Sequence, residues 1–331
     1  MRIVFMGTPD FAVPTLEALI ESRHEVVAVY TQPDREQGRG KKVVFSPVKE
    51  CAFRHGIPVR QPKGIRKPET VEKLRSYAPD LIVVVAYGVI LRPPVLESAK
   101  YGCLNVHASL LPKYRGAAPI QWAILDGEEK TGVTIMQMDE GLDTGDILAQ
   151  EETEITPDET GESLFEKLSR MGGPLLLKVI DDLEAGNLHP VKQGDSPTAY
   201  ARMLDKDMGE IDFTKSAAEI ELWIRGLNSW PSAYTFLNGK MLKIWKAEVL
   251  DLPETENREN LSPGTVAAVD KKSFTVCCGK GALRVLELQA SGKPRMSTDA
   301  FLRGNRLDPG TVLGRVREGA ETGRKDPEER S

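Results

Sequence analysis

A chain of 331 residues with 40% hydrophobic content is long enough to bury more than one core, so two domains are expected. With 44 Lys and Arg against 49 Asp and Glu, the formal net charge of -5 excludes a global basic field that would draw in nucleic acid, and any such contact must be local. The opening apolar stretch is too short for a signal-peptide core, no run approaches about 18 apolar residues, and Cys51, Cys103, Cys277 and Cys278 lack CxxC spacing, which together imply a soluble, cytoplasmic protein with reduced thiols.

In chain order, the first half alternates β-branched runs with amphipathic segments. RIVFM (2–6) precedes FAVPTLEALIES, VVAVYT (26–31) precedes PVKECAFRHG, and PETVEKLRSY precedes LIVVVAYG (81–88). CLNVHA (103–108), PIQWAILDG and VTIMQM (133–138) continue the pattern. Continuous apolar strands separated by helix-length segments require a sheet covered on both faces, so the sequence predicts an α/β, doubly wound domain with a mostly parallel sheet. A helix is predicted over 160–186, where Gly172, Gly173 and Pro174 are expected to break or kink it. The polar stretch after it lacks periodicity and predicts a linker over 190–208, which bounds a first domain at 1–189.

Beyond the linker the grammar changes. A helix from Ser216 to Leu227 precedes short strands with an Asn238-Gly239 hairpin signal, predicting a small β-barrel, OB-like, over 209–314. Residues 315–331 are charged and predict a disordered tail.

Four stretches carry candidate chemistry. MGTPDF (6–11) follows a strand and opens a helix, but supplies only Gly7 of a GxGxxG pattern; the simpler reading has Asp10 capping a helix while Gly7 and Pro9 shape the turn. In NVHASLLPKYRG (105–116), Asn105 and His107 alternate on one strand and so face the same way, near the carboxyl edge where open α/β sheets bind ligands. Cys103 shares their parity, so a nucleophilic thiol stays open beside a buried structural one. Asp143, between Gly141 and Gly145, emerges at the same edge if VTIMQM runs parallel to CLNVHA. An Asn amide can donate to a developing oxyanion, a histidine can exchange a proton, and a carboxylate can orient the imidazole, so the three together suit acyl transfer without a covalent enzyme intermediate.

The other two stretches are basic. In the long connection 31–47, Arg35, Arg39, Lys41 and Lys42 outnumber Asp34 and Glu36, which suits a polyanionic substrate or an ordinary solvated loop. From Pro263 to Gly314 there are eight bases against four acids, and Lys240, Lys243 and Lys246 surround Trp245. That excess fits an RNA-facing barrel, or an accessory barrel with solvated lysines.

GTPDFA, TQPDR with GRGKK and SPVK, VVVAYG, NVHASLLPKYRGAAPIQWAI and TGVTIMQMDEGLDTGDIL, in this order and followed by a β-rich domain, resemble the methionyl-tRNA formyltransferase family over residues 1–314. The NxH, SLLPxxRG and Asp core is shared with other enzymes that use 10-formyltetrahydrofolate, on glycinamide ribonucleotide or sugar nucleotides; the GRGKK loop and the second domain select the tRNA branch. The resemblance implies transfer of a formyl group from 10-formyltetrahydrofolate, a consumed co-substrate, to the α-amine of initiator methionyl-tRNA. It also implies a monomer with no membrane association, no tightly bound cofactor and no metal. By resemblance, Asn105, His107 and Asp143 are catalytic. The folate site falls on Ser109, Leu110, Leu111 and Pro112, with Ala86, Tyr87, Gly88 and Asp139 in the pterin pocket. The tRNA contacts fall on Arg35, Arg39, Lys41, Lys42, Lys243 and Lys246. A non-catalytic RNA-binding protein would need no Asn105, His107 and Asp143 at one crevice, and a nicotinamide-dependent dehydrogenase rests on Gly7 alone.

Overall fold

A computed structural model describes residues 1–37, 42–250 and 261–315. The chain divides into two compact units, Met1–Leu204 and Asp205 onward. The expected tail after Arg315 and the loop residues 38–41 lie outside the described residues.

In the first unit the elements are β1 (Arg2–Gly7), α1 (Val13–Glu21), β2 (Glu25–Tyr30), β3 (Arg35–Gln37), β4 (Lys42–Val44), α2 (Pro47–Arg54) and β5 (Val59–Arg60). They continue as α3 (Pro68–Arg75), β6 (Leu81–Val85), α4 (Pro93–Leu96), β7 (Cys103–His107), α5 (Pro119–Leu125), β8 (Lys130–Gln137), β9 (Ile147–Glu154) and α6 (Gly161–Ala185). Seven strands form one sheet in the order β5-β2-β1-β6-β7-β8-β9. The pairings from β5 to β7 are parallel, and β8 and β9 are antiparallel additions.

Both faces of the central strands are covered, which is why LIVVV of β6 is buried throughout. Leu81, Val83 and Val85 pack with Leu16 of α1 and Leu176 of α6, whereas Ile82 and Val84 pack with Leu74 of α3 and Val95 of α4.

Helix α6 corrects the expectation of a break: it runs as one helix of 25 residues through Pro174. A Cβ at Gly172 would meet Val106 Cγ1 at 2.7 Å, and one at Gly173 would meet Ala18 Cβ at 2.8 Å. The two glycines therefore serve close approach to β7 and α1, and that packing holds the helix together across a proline that lacks its own N–H bond. Thr160 and Ser163 form its capping box, and Gly186 ends it at φ 71°.

Asp10 is a second correction, because Pro9 rather than Asp10 stands at the N-cap of the short 3-10 turn Asp10–Ala12. The Asp10 carboxylate instead accepts from the neighbouring Phe11 N–H at 3.0 Å. Within the stretch 190–208, residues up to Leu204 pack in the first unit. Val191 exchanges backbone bonds of 2.8 Å with Ile147, and Ala201 N donates to Arg115 O at 2.8 Å.

The second unit comprises α7 (Ala217–Gly226), β10 (Tyr234–Leu237), β11 (Lys240–Leu250), β12 (Val266–Val269), β13 (Phe274–Cys277), β14 (Ala282–Ala290), β15 (Met296–Ser297) and α8 (Thr298–Gly304). Ser216 and Glu219 form a capping box at the start of α7. Asn238 (φ 51°) and Gly239 (φ 74°) make the hairpin that joins β10 to β11. The sheet order is β10-β11-β14-β13-β12, antiparallel, with β15 on β14. Leu313 N donates to Gly264 O and Gly314 N to Phe236 O, so the chain's later residues span from the β12 side to β10 and the sheet curls round as a half-barrel. Among the described residues, no helix is long and apolar enough to cross a membrane.

Candidate active site

Asn105 and His107 project from β7 with the parity its two-residue period demands. Asp143 reaches them by a route the sequence did not specify. Strand β8 is antiparallel to β7, with Gln137 opposite Leu104 and Thr134 opposite His107, so the chain leaves β8 beside the start of β7. It then folds back over the sheet and brings Asp143 Oδ1 to 3.9 Å from His107 Nδ1. That separation is too long for a hydrogen bond and close enough for charge to be felt.

Three contacts hold Asp143 in the left-handed region at φ 55°. Gly116 N–H donates to its Oδ2 at 2.9 Å, and Gln193 Nε2 donates to the carbonyls of Asp143 (3.0 Å) and Gly145 (2.7 Å). Asp139 orders the same loop by accepting from Gly141 N at 3.0 Å and Thr144 Oγ1 at 2.8 Å. Gly141 and Gly145 have no room for a Cβ against Thr144 and Gln137.

On the other side of the imidazole, His107 Nε2 lies 3.0 Å from Tyr114 O. His107 is 7% exposed, so the imidazole is held between these two neighbours with little of it in water. The Asn105 side-chain amide is half-buried and, among the described residues, has no hydrogen-bond partner, which leaves its donors free for a ligand.

These groups open on one cavity of about 620 Å³. Ala86, Tyr87, Gly88 and Asp139 also line it. Ala86 (φ 46°) and Gly88 (φ 79°) turn the chain out of β6, and Tyr87 O accepts from Thr8 Oγ1 at 3.2 Å and Gln32 Nε2 at 3.1 Å. Thr8 of MGTPDF and Gln32 of TQPDR thus brace this turn. Burial pushes the Tyr87 phenol up to about 12.

Ser109, Leu110, Leu111 and Pro112 do not line that cavity. Ser109 is fully buried and its Oγ donates to Lys113 O at 2.7 Å, while Leu111 is 3% exposed. Thr134 Oγ1 donates to Ser109 O at 2.6 Å and accepts from Leu111 N at 3.1 Å, tying the turn to β8. Leu110 and Pro112 border a separate cavity of about 870 Å³.

Cys103 is 1% exposed, and burial pushes its thiol up to about 12, so at neutral pH it offers no thiolate nucleophile. Of the basic positions, Lys243 Nζ donates to Ser232 Oγ at 3.2 Å and lies 5.6 Å from the Trp245 ring centroid, with the Arg295 guanidinium 5.0 Å from the same centroid. Lys246 is exposed. Arg35 and Lys42 belong to the β3–β4 hairpin, whose side chains there are not described, and Arg39 and Lys41 lie outside the described residues.

Sequence reasoning missed Tyr114, Gly116, Gln193, Tyr200 and Met203. Gly116 closes the quoted NVHASLLPKYRG, so a glycine just past a strand edge was its available signal. Gln193, Tyr200 and Met203 sit in an aperiodic polar stretch that gave none.

Residues 1–180 match the model for formyl transferase, and residues 203–306 match that for the formyl transferase C-terminal domain. The methionyl-tRNA formyltransferase of Lachnospira eligens is 57% identical over 314 residues, covering 95% of this chain and 100% of that protein. That of Agathobacter rectalis is 51% identical over 313 residues, covering 95% and 99%. An N-formyltransferase from Helicobacter canadensis, solved in complex with folinic acid and dTDP-3-aminofucose, shares the fold with a TM-score of 0.63 at 22% identity, over 87% of this chain and 98% of that one. With both domains matched and these identities sustained across its length, the chain belongs to the methionyl-tRNA formyltransferase family.

Proposed function

We propose that this protein transfers the formyl group of 10-formyltetrahydrofolate to the α-amino group of initiator methionyl-tRNA in the cytoplasm, acting as a monomer and giving formylmethionyl-tRNA for translation initiation. The observation that carries this reading is the single cavity bordered by Asn105, His107 and Asp143, in which the Asn105 amide stands without a protein partner.

The amine attacks the formyl carbon, and negative charge grows on the formyl oxygen. Asn105 donates to that oxygen, which is where a fixed donor accelerates acyl transfer most. His107 exchanges the proton that must leave the amine and reach N10, with Nδ1 as the working nitrogen. Asp143, 3.9 Å from Nδ1, faces the edge of the ring on which that proton is carried. N10 then departs as a weakly basic aniline nitrogen, and no covalent enzyme intermediate is required.

The turn at Ala86, Tyr87 and Gly88, with Asp139, suits the pterin end of the folate, because these residues line the cavity and Tyr87 O is fixed by Thr8 and Gln32. Ser109 to Pro112 act one step back, by shaping the turn that returns the chain to Tyr114 and Gly116. The first domain carries the chemistry and the second holds tRNA phosphates, with Lys243 and Lys246 on β11 and with Arg35, Arg39, Lys41 and Lys42 of the basic stretch 31–47 as further phosphate contacts.

The test is formyl transfer from 10-formyltetrahydrofolate to initiator methionyl-tRNA beside elongator methionyl-tRNA, over a range of salt. Preference for the initiator and a KM that rises with salt support the reading. Transfer to an amino-sugar nucleotide, with none to tRNA, would replace it.

A further inference from the structure

We infer that Tyr200 and Met203 form the seat of the methionyl side chain at the mouth of the reaction cavity, and so set the amino-acid preference of the transfer; this rests on the function proposed above. Both residues line the cavity that holds Asn105, His107 and Asp143, yet Tyr200 is 53% and Met203 73% exposed. Leu142, 50% exposed, faces the same cavity from the Asp143 loop. Large apolar side chains left in water around a polar reaction centre mark a surface that a ligand covers.

Their placement is fixed rather than incidental. Ala201 O accepts from Ala117 N at 2.8 Å and Ala118 N at 3.1 Å, and Ala201 N donates to Arg115 O at 2.8 Å. Trp122 Nε1 donates to Arg202 O at 2.9 Å. The Tyr200 ring lies over Gly116, where a Cβ would come within 2.9 Å of Tyr200 Cζ. Gly116 N–H in turn holds Asp143, so the ring stands one residue from the carboxylate. Burial first, and the Asp143 charge second, raise the Tyr200 phenol above its ordinary value.

The geometry of the substrate completes the argument. The reacting amine and the side chain branch from the same carbon, so a side chain must lie beside the place where the amine meets the formyl group. The tRNA, joined through the ester, stays outside, so the aminoacyl group touches the mouth of the cavity rather than its floor. A flexible thioether laid against an aromatic ring and a second methionine is a favourable match, whereas a methyl side chain would leave the seat uncovered.

The experiment measures kcat/KM for initiator tRNA charged with methionine or with alanine, in wild type, Tyr200→Ala, Tyr200→Phe and Met203→Ala, with the KM for 10-formyltetrahydrofolate taken in the same reactions. The methionyl-to-alanyl ratio should fall about tenfold in Tyr200→Ala and Met203→Ala, and hold in Tyr200→Phe, where the ring remains. An unchanged ratio overturns the inference, whether the two charged tRNAs lose activity equally, as for a terminal base stacked on Tyr200, or the folate KM alone rises. Met203 is exposed enough that its alanine variant reads the ratio even if Tyr200→Ala fails to fold. Wild type that formylates no charged tRNA would remove the proposed function itself, a result distinct from transfer with an unmoved ratio.

Discussion

His107 Nε2 and the carbonyl oxygen of Tyr114 lie 3.0 Å apart. A carbonyl only accepts, so Nε2 carries hydrogen and Nδ1, on the Asp143 side, is the nitrogen left to gain or lose a proton. Tyr114 is itself held in the left-handed region at φ 57°, with its N–H donating to Thr198 Oγ1 at 2.8 Å and its hydroxyl to Glu128 Oε1 at 3.0 Å. Nitrogen-15 NMR of neutral His107 should therefore report the Nε2–H tautomer. An Nδ1–H signal would contradict this assignment of the working nitrogen.

Asp143→Asn keeps an acceptor for Gly116 N–H and removes the charge beside His107. Turnover is expected to fall about a hundredfold or more, with folate affinity and thermal midpoint close to wild type. Turnover near wild type would show that Asp143 serves only the shape of its loop.

Asp34 gives one pH signature of the fold. Lys49 Nζ at 2.5 Å and then Gln61 Nε2 at 2.8 Å donate to its carboxylate and hold it below the ordinary carboxylate range. A carboxyl lowered on folding adds stability above its unfolded value, near pH 3.9, and that stability is lost as pH falls through the lower folded value. Asp34→Asn should cost about 1–2 kcal/mol at neutral pH, measured by denaturant unfolding, with the gap to wild type closing in acid. A gap that persists unchanged in acid would assign the cost to packing.

Gly172→Ala sets two effects against each other. Alanine favours a helix over glycine by about 1 kcal/mol, but its methyl would come within 2.7 Å of Val106 Cγ1. Overpacking of about 1–3 kcal/mol should win because the contact lies inside the sheet–helix core, so the variant should unfold at lower denaturant. A stabilised variant would mean that β7 yields easily.

The strands were legible because runs such as LIVVV and RIVFM have no other stable place than a sheet covered on both sides. The shared face of Asn105 and His107 followed from a period of two. The reversal at β8 was not legible, since an apolar run reads the same whichever way its neighbour points; Asp143 was named from its glycine neighbours, but its path back across the sheet was not. Helix α6 misled because Gly172, Gly173 and Pro174 look like punctuation, and only the Val106 and Ala18 contacts reveal them as packing. Residues 193–203 gave no periodic signal because they are held by backbone bonds to 115–118 and by Gln193 rather than by a buried stripe. The folate expectation at Ser109 to Pro112 came from resemblance; Ser109 and Leu111 are buried in the turn, while Leu110 and Pro112 border the separate cavity.

The most direct measurement is single-turnover formyl transfer to initiator methionyl-tRNA by wild type, His107→Ala and Asn105→Ala, with folate binding and thermal midpoint measured on the same preparations. Wild type should transfer the formyl group and each variant should lose about a hundredfold or more, with folding and folate binding retained. Full transfer by either folded variant would contradict it.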